Sequence, residues 1–333
     1  MEVANVTSIT EFILLGFPEF HGMRMPFVGI VLLMYLLSIS GNCLIISVVF
    51  MEPKLHTPMY FFLSNFSLTE LCSTTAVIPK MLTNILLNQN TICFTCCLIQ
   101  VLFSFSLGAI QFINLATMSF DRYTAICKPF FYNAMMTNRL CFHLSLMAWV
   151  VGFIATLSQS IVLWTYPFCG QNVIDHCFCD IGPILKLACA DTTVMELVGL
   201  FYGAIVMWGS FFFSLISYAS IINTILRIPS VTGRSKAFST CSSHLTIVCL
   251  FYGAMFFMYL RPSTQSDTQI NKVVFLVTIV ALPPLSPFIF TIRNSDFKTA
   301  AKRAMRRSCH LPSLAVMKLI KMGSLKKCPQ QII

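Results

Sequence analysis

Apolar residues fill this chain in long, nearly continuous stretches, and short polar or charged intervals separate them. A hydrocarbon core asks for about twenty apolar residues per helix, and seven stretches reach that length, at roughly 26 to 50, 58 to 86, 92 to 120, 140 to 164, 193 to 226, 238 to 260 and 271 to 292. A transmembrane barrel would instead alternate apolar and polar positions in segments of about ten residues. The pattern therefore predicts an all-α membrane protein, a bundle of seven spanning helices. Residues 1–25 precede the bundle, 26–292 form it, and 293–333 follow it. The first 25 residues have no basic start and no long apolar run, so no cleaved signal is expected and the first span directs its own insertion.

Composition sharpens this reading. Of 333 residues, 56% are hydrophobic and 10% charged, whereas a soluble domain carries about a quarter charged residues. The net charge of +10 does not point to nucleic acid, because the basic residues are scattered between apolar runs and no binding motif accompanies them. Their placement is topological. Lys54, Arg122, Lys128, Arg139, Arg227, Arg234, Lys236, Arg293 and the cluster AKRAMRRSCH fall on one side of the seven spans. Arg24, Lys186, Arg261 and Lys272 fall on the other, among Glu2, Glu11, Glu19, Asp175, Asp180, Asp191 and Asp267. Lys and Arg accumulate on the cytoplasmic side, which puts the amino terminus outside.

Two further features agree. Asn5-Val6-Thr7 is a glycosylation sequon on the outer side, although Asn65-Phe66-Ser67 repeats the pattern inside the second span, beyond any transferase. Cys96, Cys97, Cys169, Cys177, Cys179 and Cys189 all fall on the oxidising side. Six cysteines allow fifteen complete pairings, and spacing does not choose among them. His176, Cys177, Cys179 and Asp180 could be imagined around a metal, but disulfide chemistry is the stronger reading, and neither metal nor cofactor is expected.

Polar groups at membrane depth cost several kcal/mol unless paired or hydrated, so they mark function. Glu70 lies in mid-span 2, where Asn42, Gln111, Asn114 and Ser286 can face it, either as interhelical glue or as a hydrated hinge or cation site. Asp121-Arg122 sits where span 3 meets the cytoplasm. Pro283, Pro284 and Pro287 free backbone carbonyls and predict a bend in span 7. In the outer half, Ser104, Phe105, Gly108, Ala109, Tyr202, Gly203, Val206, Tyr252, Met255, Phe256 and Tyr259, with Leu276 and Ile279 on span 7, mix small residues, aromatics and hydroxyls. That mixture suits the lining of an apolar ligand pocket. Span 3 has no carboxylate between Cys97 and Phe120, so a cationic amine finds no partner there.

Rival classes fare worse. A transporter commonly shows internal repeats with paired broken helices, and none is visible. Enzyme motifs such as H-E-x-x-H, G-x-S-x-G or a phosphate-binding loop are missing from the sequence.

The stretches LHTPMYFFLSNFSLTELC (55–72), MSFDRYTAIC (118–127), Ser217-Tyr218, KAFSTCSSHL (236–245) and PLSPFIFTIRN (284–294) resemble odorant receptors, a branch of the rhodopsin-like G-protein-coupled receptors. The resemblance covers nearly the whole chain. It implies that Asp121, Arg122 and Tyr123 form the activation switch, that Tyr218, Lys236, Ser239 and His244 line the same cytoplasmic cavity, and that Pro287 and Phe290 belong to the moving end of span 7. It implies the bridge Cys97–Cys179, with Cys96 standing where the family usually has glycine, and a second bridge Cys169–Cys189. Tyr252 matches the aromatic toggle beneath the odorant pocket, with Met255, Phe256 and Tyr259 above it. The implied partners are a small volatile ligand, a heterotrimeric G protein of the stimulatory olfactory type that raises cyclic AMP, and the lipid bilayer.

Some positions depart from the family pattern. Ser286 replaces asparagine and Phe290 replaces tyrosine, so a polar relay to Tyr218 loses a hydroxyl, which leaves open whether coupling is weakened. Gln111 is neutral where many members are acidic, which weakens a shared cation site with Glu70. Cys177 is an extra thiol, and the tail after Ser308 is long and basic. A short interfacial helix over DFKTAAKRAMRR is expected to bring Phe297 to the bilayer and its bases to anionic headgroups, with Cys309 available for palmitoylation.

Overall fold

A computed structural model describes residues 9–17, 22–168, 172–259, 267–292, 294 and 297–304, apart from the side chains of Lys236, Thr240, Met258, Tyr259, Asp267, Thr268 and Ile292. Its long helices are α1 (Arg24–Met51), α2 (Pro58–Leu87), α3 (Phe94–Cys127), α4 (Asn138–Thr165), α5 (Thr193–Leu226) and α6 (Val231–Tyr259). The seventh, α7, is composite: Asp267–Phe275, a π-helical turn at Leu276–Ala281, then Leu282–Ile292. A long helix therefore occupies each of the seven expected stretches. α3 runs on to Cys127 and α6 starts at Val231, each about two turns beyond the apolar stretch, because helical hydrogen bonding does not stop where the apolar residues do.

Five helices, α1, α3, α4, α5 and the Gln269–Thr291 part of α7, are apolar enough to cross a membrane by composition, and α6 joins them as a pair of segments meeting at 47°. α2 is more polar because it carries Ser67, Thr69, Glu70, Ser73 and Thr74, all turned inward and buried. Exposed Ile30, Leu33, Phe201 and Ile216 give the bundle its lipid-facing surface.

The π turn has a local cause. Pro283 and Pro284 lack the N–H groups that would bond the carbonyls of Ile279 and Val280, so the ladder widens just before them. Pro287 likewise frees the carbonyl of Pro283, which accepts from Asn42 Nδ2 and Ser286 Oγ, both at 3.3 Å. Neighbouring side chains satisfy the broken backbone, as the bilayer requires.

Two glycines permit close helix approach. A Cβ at Gly152 on α4 would sit 2.6 Å from Ile110 Cγ1 and 2.9 Å from the Ser106 carbonyl of α3, and one at Gly41 on α1 would sit 2.9 Å from Pro287 Cβ. Asn65 joins α2 to α4: its side-chain amide pairs with Ser145 Oγ, and its carbonyl accepts from Trp149 Nε1 at 2.9 Å. The second sequon is thus packing, not a glycan acceptor.

The extracellular face holds a small sheet that the sequence pattern does not announce. β1 (Glu11–Leu14) pairs antiparallel with β2 (Thr91–Cys93) and parallel with β3 (Val173–Ile174), in the order β2-β1-β3. Phe12 and Leu14 of β1 are buried beneath it against Ile92, Leu98, Leu163 and Ile174. Strands of two to four residues lie below the reach of periodicity.

Candidate functional site

One face of α3 organises the outer half of the bundle. Gln100, Ser104, Gly108 and Phe112 recur every four residues, so they stack along one side. Gln100 anchors the second extracellular loop, accepting from the Cys179 N–H and donating to the Ala76 carbonyl, both at 3.0 Å. Below it, the Ser104 hydroxyl is buried and has no hydrogen-bond partner among the described residues, and a Cβ at Gly108 would meet nothing within 4 Å. Phe112 then lies 5.4 Å from the Tyr252 ring of α6. Phe211 of α5 contacts Tyr252 at 5.3 Å and Phe256 at 4.6 Å, and Trp208 lies 5.0 Å from Phe256. The open face at Gly108 and the unpartnered Ser104 hydroxyl therefore stand one to two turns above an aromatic cluster drawn from three helices.

Other expected lining residues spread around this space. Ala109 is buried, Val206, Met255 and Phe256 are half-buried, and Gly203 opens onto free space. Phe105 is 37% exposed. Tyr202 turns to α4, donating to the Val151 carbonyl at 3.1 Å. Leu276 and Ile279 pack towards the α1–α2 cluster of Val31, Val77 and Ile78. The Tyr259 side chain lies outside the described residues. Phe112, Trp208 and Phe211, absent from the expected set, supply most of the floor. Their signal in sequence is only aromatic identity at helical spacing, which ordinary packing shares.

The second loop closes the outer end. Disulfide Cys97–Cys179 ties it to α3, and the Cys93–Cys96 disulfide lies one residue away at the start of α3. Cys93 is thus a seventh external cysteine beyond the six counted from sequence, and it partners Cys96. Cys189 is also disulfide-bonded, while Cys169 lies outside the described residues, as does Asn5. Cys177 is a free, buried thiol, which burial pushes well above its usual range. Lys272 of α7, expected at the outer rim, is 1% exposed and bonds Asp175 Oδ1 at 2.8 Å. His176 packs edge-on to Phe178 at 4.6 Å, and Phe178 stacks on Phe275 of α7 at 4.6 Å. Burial, with Lys272 nearby, pushes the His176 imidazole down to about 4, and burial raises the Asp180 carboxyl.

At mid-membrane, fully buried Glu70 pairs with the Ser286 hydroxyl, and its Oε1 has no hydrogen-bond partner among the described residues. The side-chain oxygen of Asn42, the Ser73 hydroxyl and both polar atoms of Asn114 share that condition, and Gln111 is buried on the same helix as Asn114. Buried polar atoms left open in this way suit ordered water.

On the cytoplasmic side, Arg122 pairs with Asp121 on its own helix, and Nε donates to Asp121 Oδ2 at 2.9 Å. Tyr132 of the second cytoplasmic loop donates to Asp121 Oδ1 at 2.7 Å, and burial, together with contact with that carboxylate, holds the phenol above its usual range. Both charges are buried, so the pair is an interior contact, not snorkelling into the headgroups. Tyr218 and His244 Nδ1 are 2.6 Å apart, which gives the Tyr218 hydroxyl a partner without help from α7. Phe290 is buried 6.4 Å from Phe66, itself 5.7 Å from Phe251, so the missing hydroxyl falls in an apolar contact of α2, α6 and α7. Tyr123 lies under Lys128 Nζ at 5.7 Å, Ser239 is exposed, and Pro287 packs on Gly41. The Lys236 side chain lies outside the described residues.

A family model described as olfactory receptor matches residues 31–308. Human olfactory receptor 6X1 is 50% identical over 301 residues, covering 90% of this chain and 96% of that protein. Rat olfactory receptor 287 is 43% identical over 302 residues, covering 91% and 97%. The chain belongs to the olfactory receptor family. It is accordingly a multi-pass plasma-membrane receptor of the sense of smell, with no enzymatic activity of its own.

Family membership gives the three layers an order. An olfactory receptor binds small odorants and couples to G proteins, and here α3 runs from the loop disulfide past the aromatic floor to Arg122. The short helix over 297–304 completes the cytoplasmic side. Asn294 caps it, accepting from the Phe297 N–H at 3.1 Å and donating to Tyr60 at 2.7 Å. Phe297, Ala300, Ala301 and Ala304 face the bundle core, while Lys298, Lys302 and Arg303 face outward. Phe297 therefore packs against protein instead of lipid, on the i, i+3, i+4, i+7 stripe it shares with three alanines.

Proposed function

We propose that a small, mostly apolar volatile ligand occupies the space above Phe112, Phe211, Tyr252 and Phe256, beside Ser104, Phe105, Gly108, Ala109, Gly203, Val206 and Met255. The open face at Gly108 directly over this floor is the observation that carries the reading. A ligand there draws its effect from binding one arrangement of the floor better than another, since differential affinity is the whole energy source for a population shift. Movement of Tyr252 and Phe256 carries α6 with it, Arg122 leaves Asp121, and the cytoplasmic cavity admits a stimulatory olfactory-type G protein that raises cyclic AMP. Residues 1–25 form the outer segment, glycosylated at Asn5, residues 26–292 the receptor bundle, and residues 293–333 the cytoplasmic helix and basic tail. Cys189 pairs with Cys169.

The test is cyclic AMP output from surface-verified receptor against a panel of small volatile compounds. Gly108→Phe fills the space and is expected to abolish the response with surface level retained. Arg122→Ala is expected to abolish it without altering ligand binding. Full signalling by the first variant refutes the pocket, and full signalling by the second refutes the switch.

A further inference from the structure

Away from these layers, a cavity of about 360 Å³ opens on the cytoplasmic edge between α1, α2 and α4. Its wall is apolar where it meets the bilayer, with Val49, Phe50 and Phe61, and Phe50 is 83% exposed. Its cytoplasmic mouth is polar, with His56, Thr57 and Asn138, and within lies Ser64, whose hydroxyl is buried and unpartnered among the described residues. The amino-terminal ends of two long helices, α2 at Pro58 and α4 at Asn138, both converge on this cavity and bring partial positive charge. Lys54 and Arg139, each adjacent in sequence to a lining residue, are exposed, and neither forms an ion pair among the described residues. Glu52 is buried and does not line the cavity.

We propose that this cavity is a binding site for an anionic phospholipid of the cytoplasmic leaflet. Its phosphate and headgroup meet Lys54, Arg139, His56 and the two helix ends, and one acyl chain lies along Phe50 and Phe61. The leaflet on this side is the anionic one, and each Lys or Arg near its surface adds attraction. The open lipid-side wall distinguishes the occupant from a free phosphate, which has no use for Phe50 or Phe61.

The test uses purified full-length receptor in detergent micelles, titrated with phosphatidylserine, phosphatidylcholine or inorganic phosphate, with lipid retention read by native mass spectrometry. Phosphatidylserine is expected to be retained in preference to phosphatidylcholine. Lys54→Ala with Arg139→Ala is expected to weaken it roughly twenty-five-fold, about fivefold per charge removed. Lys54→Arg with Arg139→Lys keeps the binding, and Ser64→Leu, which fills the cavity, removes it while both surface charges remain. Retention of phosphatidylcholine equal to phosphatidylserine overturns the proposal, as does undiminished binding in the double alanine variant. Competition by inorganic phosphate as effective as the lipid also overturns it, by showing an anion site without a chain site.

Discussion

Asp175→Asn separates two roles of the ion pair that closes the outer end of the bundle. Lys272 is 1% exposed, whereas the Asp175 side chain is 52% exposed, so the desolvation cost falls almost entirely on the ammonium. At 2.8 Å and an effective dielectric constant near 20, the gross attraction is about 6 kcal/mol. The open side of Asp175 discounts this heavily, towards the low range of exposed pairs. Removing the carboxylate nonetheless strands a buried cation, which in fully buried pairs costs about 3–5 kcal/mol. With one partner half in water, the expected loss is about 2 kcal/mol. Lys272→Met removes the charge along with its desolvation, so it is expected to cost under about 1 kcal/mol. Adding it to Asp175→Asn should recover most of the loss. Thermal unfolding of purified receptor, followed for the two single variants and the double variant, gives the coupling directly. Additive losses, or a single Asp175→Asn variant as stable as the parent, refute the reasoning, because Lys272 would then not depend on Asp175.

Gly152→Ala places a methyl 2.6 Å from Ile110 Cγ1 and against the Ser106 carbonyl, and is expected to destabilise the receptor by about 1–3 kcal/mol, read as lower thermal stability and reduced surface delivery. His176, held down to about 4 by burial, is neutral in the folded loop while the unfolded chain protonates near 6.5, so its contribution is intact above that pH and lost as pH falls from 6.5 towards 4. The loss approaches about 3 kcal/mol, and comparing the pH profile of thermal stability with that of His176→Phe isolates it from Asp180, which shifts the other way. Phe290→Tyr puts a hydroxyl among Phe66 and Phe251 and is expected to lower stability by about 1–3 kcal/mol without raising ligand-stimulated cyclic AMP, since Tyr218 already has His244. A gain in signalling would show that the relay through α7 matters here after all.

Much of this was legible from residues alone. Seven apolar runs gave seven helices because a bilayer leaves the backbone no other solution. Pro283, Pro284 and Pro287 announced the irregular seventh helix, and the lone carboxylate at position 70 marked the buried polar layer. What stayed hidden was of two kinds. The β1–β3 sheet and the Cys93–Cys96 disulfide are short tertiary features, set by which loops meet. Side-chain direction was the other: Tyr202 has a pocket-like identity, but helical phase sends its hydroxyl to α4. Phe112, Trp208 and Phe211 look like ordinary packing until three helices bring them together.

α3 also has a mechanical meaning. Cys97 is held at one end by a covalent bond to the outer loop, and Arg122 stands 25 residues further on, about 37 Å along a helix rising 1.5 Å per residue. With the covalent end as pivot and Phe112 part-way along, the helix is a lever whose long arm reaches the cytoplasm. A tilt of about 5° would move the Arg122 end by about 3 Å, more than the 2.7 Å hydrogen bond that joins its neighbour Asp121 to Tyr132 of the second cytoplasmic loop. A small tilt at the level of Phe112 is then large enough, at the far end, to part α3 from the loop that Tyr132 anchors.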